Sequence, residues 1–440
     1  MYNVSVVKYE KPYESLVEAV ELCGGIKDLA ADSKVVIKPN LVLWHEGINF
    51  PKYGVLTTAR LIQDMVKLLS DHGVIDITII EGVVEEKKSK VSLLDQAIKG
   101  LGLDKLKDRY GVKFQDVMKS PFTKIPFNDK KLLLNTEILE ADAVINMPVL
   151  KTHTQAMVSL GIKNMKGILN TSTRKIFHSP EPDADLDFYL AKFPDLVKQY
   201  LTVIDGIYTL ELGPLYAGLA HRSNVIVASK DLISADKVGT KVLGIDPAKV
   251  KYLATTAKAH GRPTDLSDIE IKGNVDVETE LKPHACVLAQ NKSGDLPVFL
   301  EMAGVKGLRF SPLDNSICTY CTHLLNYLTT GILTAKNLKE GFDNVEILYG
   351  KRHKPTPGYK HTILAGQCQV KLNKDNPDIN HCILIKGCPP NTEEFIKAYA
   401  EAGIQLRDNF LEWIETTPET VHMKRYLKKP QFDDSFFQVD

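Results

Sequence analysis

The fold of this chain is decided by residues 141–178, which read ADAVINMPVLKTHTQAMVSLGIKNMKGILNTSTRKIFH. The segment opens with an apolar run, Ala143–Met147, that is long enough for a buried strand and too short for a core helix. Pro148 fits the carboxyl end of that strand because proline has no backbone donor to contribute to a ladder. We therefore predict a buried strand that is followed directly by polar residues.

The residues after this strand are rich in cationic, imidazole and amide side chains. Open α/β sheets bind ligands beyond the carboxyl ends of their strands, and an ordinary strand-to-helix connection needs only a few residues. The alternative is a solvated basic loop, but the cations are interleaved with Gly161, Gly167 and apolar residues instead of forming one run. We therefore predict a binding site built from Lys151, His153, Lys163, Asn164, Lys166, Arg174 and His178.

Other predicted strands also end in polar side chains. A strand at residues 35–37 leads into Lys38 and Asn40, and a helix at residues 57–72 separates it from a strand that ends in Glu81. Strand, helix and strand in this order predict a right-handed parallel unit. The sequence thus predicts a doubly wound, mostly parallel α/β sheet over residues 1–245, with these polar groups at one edge: Lys38, Asn40, Glu81, Lys151, Asp205 and Asp231.

Four motifs in this region resemble the domain-of-unknown-function family 362. They are KTH at residues 151–153, GIKNMKG at residues 161–167, VVIKPNL at residues 35–41 and VIDGIYTLELGPLYAG at residues 203–218. The resemblance covers roughly residues 34–244 and implies the α/β fold together with a site at these positions. Because some members of the family carry iron–sulfur clusters, it also implies a cluster as a candidate cofactor.

Composition limits the classes of function. The chain has 440 residues, and its 55 basic and 55 acidic residues cancel, so its overall charge gives no argument for a nucleic-acid partner. No apolar stretch approaches the roughly 20 residues that span a bilayer, and no secretory signal is visible, so we expect a cytoplasmic protein without a membrane partner. In that compartment the seven cysteines are better suited to metal binding, catalysis or packing than to disulfides.

A second group of candidate site residues, all cysteines, follows residue 310. Cys318 and Cys321 form a CxxC motif, and two later predicted strands end in glycine-containing turns that present Cys368 and Cys388. Glycine lets the backbone approach a bulky inorganic core, and the proline after Cys388 stiffens its turn. We therefore predict that the four thiolates converge on one centre.

Four thiolates suit a structural zinc ion or an iron–sulfur cluster, and a thiol-based site is a further alternative. A compact zinc ribbon usually supplies its second pair as another CxxC, whereas here the last two cysteines come singly from separate strand ends. Both this spacing and the family resemblance favour a [4Fe–4S] cluster, with zinc as the alternative cofactor.

The sequence therefore predicts an α/β domain at 1–245, a connector at 246–300, a smaller C-terminal α/β iron–sulfur domain at 301–415 and a tail at 416–440. The expected function is that of an iron–sulfur enzyme, an oxidoreductase of anaerobic metabolism that acts on a small anionic ligand and exchanges electrons with a partner protein. A non-catalytic electron carrier or a metallocofactor assembly protein is the alternative, and a structural zinc protein is the third. The candidate catalytic residues are Lys151, His153 and His178, and the candidate substrate-binding residues are Lys38, Asn40, Lys163, Asn164, Lys166 and Asp205.

Overall fold

The computed structural model describes residues 1–45, 47–83, 92–128, 130–278 and 282–440. The chain divides into two compact units. Unit 1 comprises residues 1–174, 187–286 and 418–440, and unit 2 comprises residues 175–186 and 287–417. The residues predicted as a connector are therefore shared between the units, and the C-terminal tail belongs to unit 1.

Unit 1 is a mixed α/β structure. Its strands are Tyr2–Lys8 (β1), Lys34–Pro39 (β2), Asp76–Glu81 (β3), Lys113–Asp116 (β4), Phe122–Phe127 (β5), Lys130–Asn135 (β6), Ala143–Met147 (β7), Val149–His153 (β8), Met157–Ser159 (β9), Leu201–Glu211 (β10), Leu219–Ser229 (β11) and Ile269–Gly273 (β12). The α-helices that lie wholly or mainly in this unit are Glu14–Leu22 (α1), Ala59–Asp71 (α2), Leu93–Gly100 (α3), Asp104–Tyr110 (α4), Thr136–Leu139 (α5), Gly161–Asn164 (α6), Thr171–Ile176 (α7), Leu186–Lys192 (α8), Leu232–Val242 (α9) and Lys251–Ala259 (α10).

The large sheet of unit 1 is mostly parallel, as the sequence predicts. Its strand order is β12-β1-β11-β10-β7-β2-β3-β4, and the five strands from β10 to β4 run parallel to one another. The strand β8 follows Pro148. It pairs with β10 in the parallel direction and with β9 in the antiparallel direction. Because β2, β3 and β7 run parallel, the residues at their carboxyl ends meet at one edge of the sheet.

The helix α2 shows how local sequence supports this sheet. Thr58 begins the helix, and its hydroxyl accepts a hydrogen bond from the backbone N–H of Leu61 at 3.4 Å. The apolar face, which includes Leu61, Met65 and Leu69, is buried in the main core. The chain then turns at Gly73, whose φ of 97° suits a glycine.

The C-terminal residues complete the core of unit 1. The Tyr53 ring packs against Tyr426 at 5.4 Å, Phe432 at 5.0 Å and Phe437 at 5.6 Å between ring centroids. Phe437 is 1% exposed. The end of the chain is thus a packed part of unit 1.

Unit 2 has its own parallel sheet and core. Its strands are Leu308–Phe310 (β13), Val345–Leu348 (β14), His361–Ala365 (β15) and Cys382–Ile385 (β16), paired in that order. Its helices are Val298–Met302 (α11), Thr319–Leu333 (α12), Gln367–Asn373 (α13), Thr392–Glu401 (α14) and Phe410–Thr417 (α15). Leu328, Ile363 and Phe395 are among the buried residues of a core that joins these helices to the sheet.

Candidate functional site

A buried ion pair lies at the carboxyl edge of the sheet in unit 1. Lys38 at the end of β2 places its Nζ 2.8 Å from Oε1 of Glu81 at the end of β3, and both side chains are almost fully buried. Glu81 also accepts hydrogen bonds from the backbone N–H groups of Leu41 at 2.7 Å and Gly82 at 2.7 Å. Burial lowers the pKa of Lys38, and the Glu81 carboxylate opposes that shift. The charge of Lys38 is therefore already matched within the protein.

A network of amides joins this pair to Lys151. The Lys151 ammonium on β8 donates to the Val55 carbonyl at 2.8 Å and to Oδ1 of Asn40 at 3.2 Å. Asn40 donates in turn to Oδ1 of Asn164 at 3.1 Å, and Asn164 donates to Oδ1 of Asn146 at 2.8 Å. The network is buried, so its side chains are held in fixed positions by one another.

The surroundings of Lys151 lower the pKa of its ammonium group. Burial is the main cause, and the nearby charge of Lys163 is the next, so the pKa of Lys151 falls to about 7. Lys163 itself has a pKa lowered to about 8 by burial. Across the described residues the Lys163 ammonium makes no hydrogen bond and no ion pair. The charge of Glu81 opposes the shift of Lys151, but neither Lys151 nor Lys163 forms an ion pair with a carboxylate among the described residues.

The helix α6 carries Lys163 and Asn164 and is fixed at its start by a buried carboxylate. Asp236 of α9 accepts hydrogen bonds from the backbone N–H of Gly161 at 2.7 Å and of Ile162 at 2.9 Å. Burial raises the pKa of Asp236 to about 7. A Cβ on Gly161 would lie 2.6 Å from Leu232 Cδ1, so glycine lets the helix approach α9. This support holds α6 where the Asn164 amide donates to the Lys38 carbonyl at 3.1 Å.

The other predicted residues of this region are His153, Arg174 and Lys166. His153 is buried, and its Nδ1 accepts a hydrogen bond from the backbone N–H of Gln155 at 3.1 Å. The Arg174 guanidinium donates to the Gly82 carbonyl at 2.9 Å and to the Leu169 carbonyl at 2.8 Å. Lys166 is also buried. Arg174 therefore binds the turn that follows Glu81.

Two further candidates of the predicted binding and catalytic set make other contacts. Asp205 accepts hydrogen bonds from the backbone N–H of Thr58 at 2.7 Å, from the Thr58 hydroxyl at 2.8 Å and from the N–H of Ile207 at 3.0 Å. It thus secures the start of α2. His178 belongs to unit 2, where its Nδ1 lies 2.9 Å from the Asn315 carbonyl oxygen.

The four predicted cysteine ligands all lie in unit 2. Cys318 precedes α12 and Cys321 lies in its first turn, whereas Cys368 follows β15 and Cys388 follows β16. Because β15 and β16 are adjacent and parallel, the last two cysteines leave the sheet at the same edge. Their turns are joined by a hydrogen bond from the Gln367 N–H to the Gly387 carbonyl at 3.0 Å.

The thiols influence one another electrostatically. A hydrogen bond with Cys321 is the main cause that lowers the pKa of Cys318 to about 5. The pKa of Cys321 is raised, first by Cys318 and by burial and then by the charges of Cys368 and Cys388. Gly366 also faces this group, because a Cβ there would lie 3.4 Å from Cys321 Sγ. The charges of Cys368 and Cys388 thus act on Cys321, which joins the CxxC motif electrostatically to the two strand ends.

Two lysines accompany the cysteines. The Lys175 ammonium lies 3.5 Å from Cys388 Sγ and 4.8 Å from the centre of the Tyr320 ring. Lys351 lowers the pKa of Cys318 and opposes the rise in that of Cys368. Among the described residues, no three His, Cys, Asp or Glu side chains are arranged closely enough to hold one metal ion.

Some of these functional groups could not be recognised in the sequence. Asn146 lies within an apolar strand, and Asp236 lies on a helix far along the chain from Gly161, so neither belongs to a local motif. Glu81 is recognisable as a strand-end carboxylate, but its pairing with Lys38 is not. Lys175 and Lys351 have no sequence signal beyond their charge.

The fold and the sheet-edge network define an α/β protein with a candidate anion-binding site. Residues 35–241 match the family described as Domain of unknown function (DUF362). This match confirms the family resemblance that the motifs predict.

The chain is also similar to one curated relative and to one solved structure. It is 31% identical over 137 residues to the thylakoid-associated protein sll1697 of Synechocystis sp., a match that covers 30% of this chain and 42% of that protein. The lactate racemase apoprotein of Thermoanaerobacterium thermosaccharolyticum shares 13% identity and a TM-score of 0.33, over 55% of this chain and 57% of that one. So weak a structural likeness carries no argument. In the part of the chain that the structure describes, none of the helices is both long and apolar enough to cross a membrane.

Proposed function

We propose that this protein is an iron–sulfur oxidoreductase that binds a small anionic molecule at the sheet edge of unit 1. In this proposal Cys318, Cys321, Cys368 and Cys388 of unit 2 hold a [4Fe–4S] cluster. The observation that carries it is the position of these thiols: Cys318 and Cys321 form one CxxC motif, and Cys368 and Cys388 follow two adjacent parallel strands whose turns are joined by a hydrogen bond.

The arrangement of the thiols supports a cluster better than a single ion. Ligands of one zinc ion all lie about 2.3 Å from it, so their sulfur atoms must be close together. A cubane cluster binds each cysteine through a different iron atom, so its ligands stand further apart. Here the last two cysteines come singly from adjacent strand ends instead of from a second CxxC, which suits a cluster better than a zinc ribbon. Glycine at position 366 leaves space beside Cys321 Sγ.

The surrounding residues suit a negatively charged centre. When it is bound, a cluster of this type supplies one-electron transfer or Lewis-acid chemistry. Lys175 donates toward Cys388 Sγ, and the charge of Lys351 favours the thiolate forms of Cys318 and Cys368. Both cations offset the negative charge of four thiolates. All seven cysteines are free thiols, in keeping with the cytoplasmic location that we propose.

In this proposal the anionic ligand binds at the lysines of unit 1. Lys38 is neutralised by Glu81, whereas Lys151 meets only neutral acceptors and Lys163 meets none within the described residues. An anionic group beside Lys151 and Lys163 would relieve their repulsion and raise both pKa values. Asn164 positions Asn40, and Asn40 orients Lys151. We propose that His153 moves a proton on the bound ligand.

The test of the cluster is metal analysis of protein purified without oxygen. We expect a brown protein with about four iron and four sulfide per chain. Cys368→Ser and Cys388→Ser should each lose or convert the cluster, whereas Cys382→Ser and Cys23→Ser should retain it. Cys382 is a matched control because it is a half-buried cysteine of unit 2 outside the quartet.

The same preparation separates the alternatives. One zinc per chain without sulfide would replace the cluster with a structural zinc site. Reoxidation of the reduced cluster by small anions identifies an enzyme. A cluster that only a partner protein reoxidises identifies an electron carrier, and one that is transferred intact to an apoprotein identifies an assembly protein.

A further inference from the structure

A pair of histidines lies at the edge of the unit 2 sheet opposite to the cysteines. His361 begins β15 and His381 immediately precedes β16, and these two strands are parallel neighbours. The two Nδ1 atoms are 2.8 Å apart, and the ring centres are 5.0 Å apart. The backbone positions are fixed, since the Thr362 N–H donates to the His381 carbonyl at 2.9 Å.

A carboxylate fixes the orientation of one ring. His381 Nε2 lies 3.0 Å from Oε1 of Glu401, at the end of α14. When Nε2–H donates to that carboxylate, the neutral ring has its lone pair on Nδ1. Metal-binding histidines usually donate their second N–H to a carboxylate in this way. Burial and the neighbouring His381 lower the pKa of His361, which favours its neutral, metal-binding form.

Two nitrogens that bind the same metal ion must lie close together. Nitrogens about 2.05 Å from one ion are about 2.9 Å apart at a right angle and about 3.3 Å apart at a tetrahedral angle. The observed 2.8 Å is close to these values and is also the length of a hydrogen bond between the rings, so a bound ion replaces that hydrogen bond and releases its proton to solvent. Among divalent first-row metals, Ni²⁺ and Cu²⁺ bind imidazole nitrogens more tightly than Mn²⁺, Fe²⁺ or Co²⁺.

We infer that His361 and His381 form a surface site for a divalent transition metal, Ni²⁺ or Cu²⁺. Both Nδ1 atoms bind the ion, and Glu401 is a positioning residue that holds the His381 ring. Water completes the coordination, because the described residues place no third His, Cys, Asp or Glu side chain close enough. The pair is accessible, since the His381 side chain is 47% exposed.

The test is a calorimetric titration of the full chain, purified without oxygen, with Ni²⁺. Thiolate groups could bind the ion as well, so the site is defined by the difference between the wild type and variants. We expect His361→Gln and His381→Gln each to remove the same single binding event. Glu401→Gln should weaken it about 10–100-fold, as other supporting carboxylates do. His72→Gln, in unit 1, is the control and should leave it intact.

A second measurement guards against misfolding of the variants. Circular dichroism should be the same for all of them, because the exposed His381 ring contributes little to the core. The inference is overturned when the wild type and His361→Gln bind the same number of Ni²⁺ ions with the same affinity. In that case the two rings form an ordinary hydrogen bond.

Discussion

Replacing Lys163 by glutamine tests whether the sheet edge of unit 1 binds anions. The substitution removes the ammonium that has no partner among the described residues. A hydrogen bond to a charged group contributes about 1.5–3 kcal/mol, so the affinity for a small anion should fall about 10–150-fold. Lys198→Gln removes an exposed cation of the same unit and should have no effect.

The pH dependence of anion affinity tests the same site independently. Anions bind the protonated lysines, whose pKa values in the free protein are about 7 for Lys151 and about 8 for Lys163. Affinity should therefore fall as pH rises from about 6 to 9, by up to tenfold per pH unit for each group that titrates. In Lys163→Gln one of these titrations is lost, and that of Lys151 moves to higher pH because the neighbouring charge is gone.

Sulfate and oxalate are suitable probes, because their own charge is constant over this range. Isothermal titration calorimetry of the full chain at several pH values measures both effects. Equal binding of the probes by wild type and Lys163→Gln, or a wild-type affinity that rises with pH, would refute a cationic binding site at this sheet edge.

Two further predictions concern the buried carboxylates that build the site. Glu81→Gln leaves Lys38 buried without its counter-ion and should lower the free energy of unfolding by about 3–5 kcal/mol, whereas Glu137→Gln, which breaks the surface pair with Lys34, should cost at most about 1 kcal/mol. Urea denaturation compares the two, and equal losses would contradict the burial argument. For Asp236, whose pKa is raised from 3.8 to about 7, the folded state binds more protons than the unfolded state between these values, so stability should fall as pH rises through them. Asp236→Asn should flatten that part of the stability profile, and an unchanged slope would show that another group causes it.

The parallel sheet could be predicted because its signals are local. Apolar runs such as Ala143–Met147 end in polar residues, and these transitions are visible without knowledge of any contact. The family motifs lie at the same strand ends, so they identified the family correctly. The residues that hold the site in place could not be predicted in the same way. Asp236 and Gly161 are separated by 75 positions, and their hydrogen bond exists only after α6 and α9 have packed together.

The sequence by itself determined which residue types stand at the strand ends and that four cysteines follow a shared pattern. Only the tertiary structure decided how charge is distributed among these groups. It pairs Lys38 with Glu81 and leaves Lys163 without a partner in the described residues. Both carboxylate oxygens of Asp205 accept hydrogen bonds from backbone N–H groups. The physical reason is that the state of a lysine or carboxylate depends on burial and on neighbouring charges, which chain folding brings together from distant positions.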